Sequence, residues 1–226
     1  MPKTTRERIR GEGAEVKVID GDYDDAVQAV KRAAKAEAAL LVMDISWEGY
    51  ETVPKWVVEG YQTMLDESDK QVLLITGGRS ATHAIVPVGC GSIAHAVVQH
   101  FKSAAREQAG SSAAAVLAAE PDTATCLKTS LENGKMTSVC TENSIMYGMN
   151  CGMLSTTAWP AIRSGVDGAV ILSDAEARHA VQELEKHSVK AGPCGAAALA
   201  ALKKACDAGR ERLGLSEPSI VVLYCT

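Results

Sequence analysis

The stretch HAIVPVGCGSIAHAVVQHF, residues 83–101, joins an apolar run to a glycine turn and then to apolar residues at helical spacing. The run 83–88 predicts a buried strand, the turn GCGS occupies 89–92, and the pattern after it predicts a helix. Such a turn directs the free N–H groups of a helix N-terminus at one point, where an anion such as phosphate binds favourably. Many strand-to-helix turns use glycine only for positive φ, so the turn alone leaves the question open.

A second glycine turn, AGPCG at 191–195, also leads into an alanine-rich helical pattern. Its small side chains either admit a ligand to a helix N-terminus or serve a close contact between helix and sheet. Neither turn matches a nucleotide P-loop, and GCGS lacks the third glycine of a dinucleotide fingerprint. Two such turns favour a phosphorylated cofactor held at one end and contacted at the other, and pyridoxal phosphate fits that description.

Composition excludes several classes of protein. The chain has 226 residues, of which 46% are hydrophobic, enough for a sizeable core. A net charge of −5 and 4% aromatic residues are unlike a nucleic-acid-binding protein. No apolar run approaches the ~20 residues of a membrane span, and no signal-peptide pattern is present, so we expect a cytoplasmic protein without a membrane partner. The seven cysteines form no C-x-x-C pair, which favours reduced thiols and disfavours a metal site.

Strand and helix patterns alternate along the chain. The segments 14–19 and 39–45 predict strands around a helix at 24–38, a βαβ unit opened by the acidic turn DGDYDD. The next pattern predicts a helix that ends near residue 74, although QVLLIT alone would also suit a buried strand. Further strands are predicted at 113–121, 168–174 and 219–226, and further helices at 122–131, 144–151, 156–164, 174–187 and 193–208. This alternation predicts a mostly parallel, helix-covered α/β sheet with ligands beyond the carboxyl ends of its strands.

Four motifs of the chain, in this order, resemble those of diaminopropionate ammonia-lyases. They are D-x-x-W-x-G-Y at 44–50, P-x-W-x-x-x-G-Y at 54–61, VPVGCGSIAHAVV and AGPCGAAALAAL. The resemblance extends from about Gly11 to the last residue. It implies the tryptophan-synthase-β-like fold of fold type II pyridoxal-phosphate enzymes, a three-layer αβα parallel sheet that is incomplete here. It also implies that residues 1–45 are a remnant of a small domain and that 46–226 form the large, cofactor-bearing domain.

The resemblance assigns the cofactor-binding positions. It implies a phosphate loop and a glycine near the cofactor face: Val88, Gly89, Cys90, Gly91, Ser92, Ile93 and Gly148. Asn150 would lie beside that face, and Glu120 would lie near the site at the end of its strand.

Two further residues receive roles by resemblance. Asp44 corresponds to an acidic residue that acts as a catalytic base, whereas the simpler interpretation is a turn aspartate at a strand end. Cys194 matches the position where the superfamily places Ser, Thr or Cys against the pyridine nitrogen, whereas the simpler interpretation is a small buried residue. The chain departs from its bacterial relatives at Pro193, where they carry an acid.

The reaction implied by the resemblance is an α,β-elimination that converts 2,3-diaminopropionate, or a related small amino acid, into pyruvate and ammonia. Threonine, serine and amino acids with another β-leaving group are alternative substrates. The resemblance also implies a homodimer for the full-length proteins.

The lysine that carries the cofactor in this family has no counterpart in this sequence, since no lysine here has the required context. We therefore expect the chain to be the C-terminal part of a longer enzyme and to be inactive alone. The alternative is a non-catalytic remnant that binds a phosphate, a cofactor or a partner. An in-frame lysine segment upstream of Met1 would favour the enzyme, and stop codons there would favour the remnant.

Overall fold

The computed structural model describes residues 3–104, 113–211 and 213–226, and its contacts form two compact units, Met1–Leu41 and Val42–Thr226. The first unit contains helix α1, Lys3–Gly11, and helix α2, Tyr23–Ala36. The acidic turn opens α2 as predicted, because Asp22 and Asp25 each accept a hydrogen bond from the other's backbone N–H.

The predicted strands at 14–19 and 39–45 are absent from the structure, so the predicted βαβ unit is wrong although its helix is confirmed. Several of their apolar side chains are exposed, among them Val18, Leu40 and Val42. A strand needs a neighbour to accept and donate its backbone hydrogen bonds. Within the described part of the chain neither segment lies beside another strand, and apolar periodicity alone does not supply one.

The second unit is built on a four-stranded parallel sheet with the order β3-β2-β1-β4. The register places Ala84 opposite both Val116 and Val222. These strands confirm the parallel sheet that the sequence predicts. Their bounds are His83–Pro87 (β1), Ala115–Pro121 (β2), Gly168–Leu172 (β3) and Val221–Leu223 (β4).

Among the described residues of the second unit, six helices surround this sheet: Thr52–Ile75 (α3), Ser92–Phe101 (α4), Cys126–Asn133 (α5), Trp159–Gly165 (α6), Asp174–Lys186 (α7) and Pro193–Gly209 (α8). The segment QVLLIT lies within and just beyond the end of α3, so its strand alternative is wrong. The chain at 144–151 forms only the 3₁₀ turn Tyr147–Met149, not the predicted α-helix. Its backbone is held differently, because the Ile145 N–H and the Ser144 hydroxyl bond to the Asp174 carboxylate at the start of α7.

Side chains alternate across the sheet between two hydrophobic cores. Ala84 and Val86 of β1 face the core that contains residues of α3, α4 and α6. Ile85 faces the opposite core, which contains the alanine-rich faces of α7 and α8. Helices therefore cover both faces, which confirms the predicted three-layer αβα architecture. None of the described helices is long and apolar enough to cross a membrane.

Candidate active site

The glycine turn after β1 is the centre of the candidate site. The Val88 N–H still donates to Ala119 of β2, at 2.8 Å, and the chain then leaves the sheet. Gly91 is the N-cap of α4 with a φ of 91°, and a Cβ there would lie 2.8 Å from Ile162 Cδ1. Only glycine suits this position, because it combines a left-handed backbone with a close side-chain contact. Ser92 and Ile93 then form the first turn of α4, whose backbone N–H groups have no carbonyl partner within the helix and suit an anion.

Asp44 contacts this turn directly. The Ser92 hydroxyl donates a hydrogen bond of 2.8 Å to Asp44 Oδ2, and the Cys90 thiol donates to the same oxygen at 3.2 Å. Burial, assisted by the charge of Asp44, raises the pKa of Cys90 to about 12, so the thiol stays protonated and donates to the carboxylate. Burial and the same carboxylate raise the pKa of Tyr61 on α3, which also interacts with Ser92. The carboxylate is therefore surrounded by neutral proton donors.

A cluster of hydroxyl groups fixes the segment that carries Asp44. Ser46 Oγ lies 2.6 Å from Ser155 Oγ and 2.8 Å from Thr157 Oγ1, and the Ser46 N–H donates to Ser155 Oγ at 2.8 Å. The Ser155 N–H donates to the Cys90 carbonyl at 2.8 Å, which connects the cluster to the glycine turn. Sequence reasoning missed this cluster, although the run STT at 155–157 and a serine two residues after Asp44 were signals for it.

The second glycine turn lies at the same end of the sheet as the first, beyond the carboxyl ends of β1 and β4, although α4 and α8 cover opposite faces. A Cβ on Gly89 would lie 2.7 Å from the Gly148 carbonyl oxygen, and a Cβ on Gly148 would lie 3.5 Å from Cys194 Sγ. Cys194 is the second residue of α8, and its neighbour Gly195 packs on the Cys225 backbone just beyond β4. The structure thus brings the two turns together through Gly148.

Glu120 lies beneath the first turn at the end of β2, and it is fully buried. Its two carboxylate oxygens accept the backbone N–H groups of Leu127 and Lys128 at 2.7 and 2.8 Å, so it binds the N-terminus of α5. Burial raises the pKa of Glu120 to about 7 despite these donors. Cys126 also hydrogen-bonds to Glu120, and its Sγ lies 3.9 Å from the Gly89 carbonyl oxygen. Glu120 therefore holds the N-terminus of α5, where Cys126 contacts the first turn.

Asn150 bonds to the protein backbone: its Nδ2 group donates to the Glu142 carbonyl at 2.9 Å. Several lysines of the second unit form ion pairs, including Lys55 with Glu59 at 3.8 Å and Lys102 with Asp167 at 2.7 Å. The described residues contain no group of three or more His, Cys, Asp or Glu side chains placed to hold a metal.

These features fit pyridoxal phosphate. At the first turn, the N-terminus of α4 presents backbone N–H groups and the Ser92 hydroxyl, which suit a phosphate. At the second turn, Cys194 offers a thiol beside Gly148, 3.5 Å from the position of a Gly148 Cβ. An anion site and an uncharged polar group joined by glycines are what a ring with a phosphate arm requires.

Comparisons with known proteins agree with this chemistry. Residues 1–226 match the family described as pyridoxal-phosphate dependent enzyme. A diaminopropionate ammonia-lyase of Salmonella typhimurium is 33% identical over 181 residues, which are 77% of this chain and 44% of that protein. The crystal structure of the Escherichia coli diaminopropionate ammonia lyase with D-serine is 25% identical, with a TM-score of 0.88 over 100% of this chain and 57% of that one.

A maize serine racemase shares the fold, with a TM-score of 0.74 and 22% identity over 99% of this chain and 64% of its own. The matched region thus spans less than half the length of the Salmonella protein, 44% of it. The family match nevertheless covers the glycine turn, Asp44 and both helix N-termini. The resemblance seen in the sequence is therefore confirmed, and the chain belongs to the pyridoxal-phosphate dependent enzymes of fold type II, with diaminopropionate ammonia-lyases among its relatives.

Proposed function

We propose that this chain carries the cofactor-binding part of an ammonia-lyase that eliminates ammonia from 2,3-diaminopropionate or a related small amino acid. The observation that carries the proposal is the glycine turn at 89–92 with the Asp44 carboxylate at hydrogen-bond distance from its serine. A phosphate site and a candidate base are thereby adjacent in one chain. The diaminopropionate ammonia-lyase relative at 33% identity supports the substrate class, and the E. coli structure with D-serine supports a small amino acid.

In this proposal the first turn of α4 holds the phosphate. The backbone N–H groups of Ser92 and Ile93 and the Ser92 hydroxyl are the donors, and the helix dipole favours the negative charge. Gly148 leaves room for the ring, and Cys194 contacts the ring nitrogen. A thiol at this place adds no negative charge, so the nitrogen is not driven to take up a proton. When bound, pyridoxal phosphate supplies the electron sink that stabilises charge at the substrate α-carbon.

Asp44 is the proposed acid–base residue. Its side chain is partly exposed, whereas the donors around it, Ser92 and Cys90, are buried, so one side of the carboxylate faces away from the core. The hydroxyl cluster around Ser46 fixes the backbone two residues away, which restricts where the carboxylate can point. A group that takes a proton from a substrate has to be held within hydrogen-bond reach of it, and this anchor meets that need.

Further parts of the proposal concern the whole protein. Its residues 1–45 belong to a small domain and 46–226 to the large, cofactor-bearing domain, and the full-length protein is a homodimer. The protein works in the cytoplasm, which the free state of its seven cysteines supports because reduced thiols are typical of that compartment. Sedimentation of the full-length protein tests the dimer.

Titration of the chain with pyridoxal phosphate tests the proposed function. Binding measured by the absorbance of the cofactor should be weak and reversible, because no lysine of this chain has the family's sequence context. Pyruvate release from diaminopropionate, coupled to lactate dehydrogenase, should stay at the background rate. Full turnover by this chain alone would show that a lysine within it acts with the cofactor. Absence of any cofactor binding by the folded chain would remove the proposed site.

A further inference from the structure

The Asp44 carboxylate and the proposed cofactor phosphate would both accept a hydrogen bond from the Ser92 hydroxyl. It has a single proton to donate, and that proton bonds to Asp44 Oδ2 at 2.8 Å. Ser92 is also the first residue of α4, where the proposed phosphate site needs its donors. One hydroxyl proton cannot serve a carboxylate and a phosphate together, so the two bonds are alternatives.

The charges around Ser92 favour the same conclusion. Asp44 is next to the buried Cys90 thiol and the phenol of Tyr61, both neutral groups. Within the described ranges, none of the ion pairs involves Asp44. A phosphate at the first turn of α4 would therefore face an uncompensated carboxylate in a partly buried place, where like charges repel strongly.

The backbone on both sides of Asp44 is held in place. The Met43 N–H donates to the Tyr50 hydroxyl at 2.9 Å, and the Ser46 N–H donates to Ser155 Oγ at 2.8 Å. Residues 43 and 46 are thus fixed to other parts of the second unit. The carboxylate can leave Ser92 by rotation of its own side chain, without movement of the segment.

We propose that Asp44 is a gate on the phosphate turn: it and the cofactor phosphate are exclusive partners of Ser92, and phosphate binding turns the Asp44 carboxylate away from the turn. The inference rests on the proposed function, because it takes the first turn of α4 as the phosphate site. It adds that the occupied turn releases the candidate base. The base then becomes free for substrate only when the cofactor is in place.

Binding of inorganic phosphate to the whole chain, measured by isothermal titration calorimetry, tests the gate. Asp44→Asn removes the competing charge and weakens the competing acceptor, so we expect phosphate to bind about tenfold more tightly than to the wild type. Glu48→Gln is the matched control, because it removes one exposed carboxylate four residues away that has no bond to Ser92. Its affinity should stay within about twofold of the wild type.

A double-mutant cycle separates exclusion at the hydroxyl from simple repulsion. In the Ser92→Ala background, Asp44→Asn should improve phosphate binding much less, because there is no longer a hydroxyl to compete for. Pyridoxal phosphate should repeat the pattern, and pyridoxal, which has no phosphate, should not. Circular dichroism melting of each variant establishes that the binding data come from folded protein.

The outcomes are distinguishable. Unchanged or weaker phosphate binding by Asp44→Asn, with binding by the wild type intact, would overturn the gate and leave the proposed phosphate site standing. An equal gain in the presence and absence of the Ser92 hydroxyl would also overturn it, because repulsion alone would then explain the effect. If phosphate binds to none of the folded proteins, both the proposed phosphate site and the proposed gate are wrong.

Discussion

Gly89 and Gly148 approach each other so closely that a Cβ on Gly89 would lie 2.7 Å from the Gly148 carbonyl oxygen. The contact involves backbone on both sides, so it cannot be relieved by rotation of a side chain. It joins the proposed phosphate turn to the segment beside Cys194, and the geometry of one turn therefore depends on the other.

Replacement of Gly89 by alanine should disturb both stability and binding. We expect Gly89→Ala to lower the free energy of unfolding by about 1–3 kcal/mol through overpacking, and to weaken pyridoxal phosphate binding at least tenfold. Gly60→Ala is the control, since Gly60 lies exposed in α3 with no atom within 4 Å of a Cβ. That change should stabilise the protein by about 0.5–1 kcal/mol. Equal effects of the two substitutions in urea unfolding would contradict the close contact.

Gly91 offers a second comparison at a left-handed backbone. Gly91→Ala and Gly134→Ala both place a side chain at positive φ, with φ of 91° and 67°. The backbone strain alone should lower the free energy of unfolding by about 1–2 kcal/mol in each variant. Only Gly91 also meets a neighbour, Ile162 Cδ1 at 2.8 Å from the new Cβ. Gly91→Ala should therefore cost about 1–3 kcal/mol more than Gly134→Ala in chemical unfolding. If Gly134→Ala proves the more damaging, the packing described for the turn is wrong.

Glu120 should make stability depend on pH. Its pKa is raised from 4.5 to about 7 in the folded protein, so the folded state holds the proton more strongly than the unfolded state. The resulting stabilisation is complete below pH 4.5 and is lost as the pH rises through 7, a change of about 3 kcal/mol. Urea unfolding from pH 5 to 8 should show this decline in the wild type and a flatter profile in Glu120→Gln. If the wild type and Glu120→Gln lose stability equally as the pH rises, a group other than Glu120 is responsible for the decline.

Ser46 should matter more than an ordinary serine. Ser46→Ala leaves Ser155 and Thr157 with buried or half-buried hydroxyl groups that lose a partner, at a cost of about 1–3 kcal/mol. Ser164→Ala, at an exposed hydroxyl on α6, should change the unfolding free energy by less than about 0.5 kcal/mol. Thermal unfolding of both variants measures the difference, and a Ser46→Ala protein as stable as Ser164→Ala would show that the cluster does not anchor the Asp44 segment.

Cysteine reactivity should follow burial. Cys90 and Cys126 are buried, and burial raises the pKa of each thiol, whereas Cys140 and Cys206 are exposed. In native protein at pH 8, iodoacetamide should label Cys140 and Cys206 rapidly and leave Cys90 and Cys126 unmodified until denaturant is added. Mass spectrometry of peptides after brief labelling identifies the sites. Rapid alkylation of Cys90 in the native protein would mean that the turn opens.

The sequence predicted the second unit well because its two central strands, β1 and β2, are buried on both faces. The apolar runs of β1 and β2 predict strands, and the glycines after β1 predict a turn. Both signals are local, so they do not depend on the rest of the chain. The same reasoning was wrong at 14–19 and 39–45, where apolar periodicity matches a strand but no neighbouring strand supplies hydrogen bonds.

Only those parts of the candidate site that are encoded in a short, continuous stretch of sequence could be predicted. Gly89 and Gly91 are recognisable from their turn, whereas the Asp44–Ser92 hydrogen bond joins residues 48 positions apart. The hydroxyl cluster spans about 110 residues, from Ser46 to 155–157, so only the folded chain reveals it. Roles for Asp44 and Cys194 came from family resemblance, because each has an ordinary structural interpretation when taken alone.

We propose that the turn at 89–92 binds the cofactor phosphate. Amide chemical shifts of the ¹⁵N-labelled chain, followed during titration with pyridoxal phosphate and separately with pyridoxal, test this binding at the level of single residues. We predict that pyridoxal phosphate moves the amide signals of Gly91, Ser92 and Ile93 most, and that pyridoxal leaves them nearly unchanged. Shifts of equal size with both ligands, or shifts confined to residues remote from the turn, would contradict the assignment.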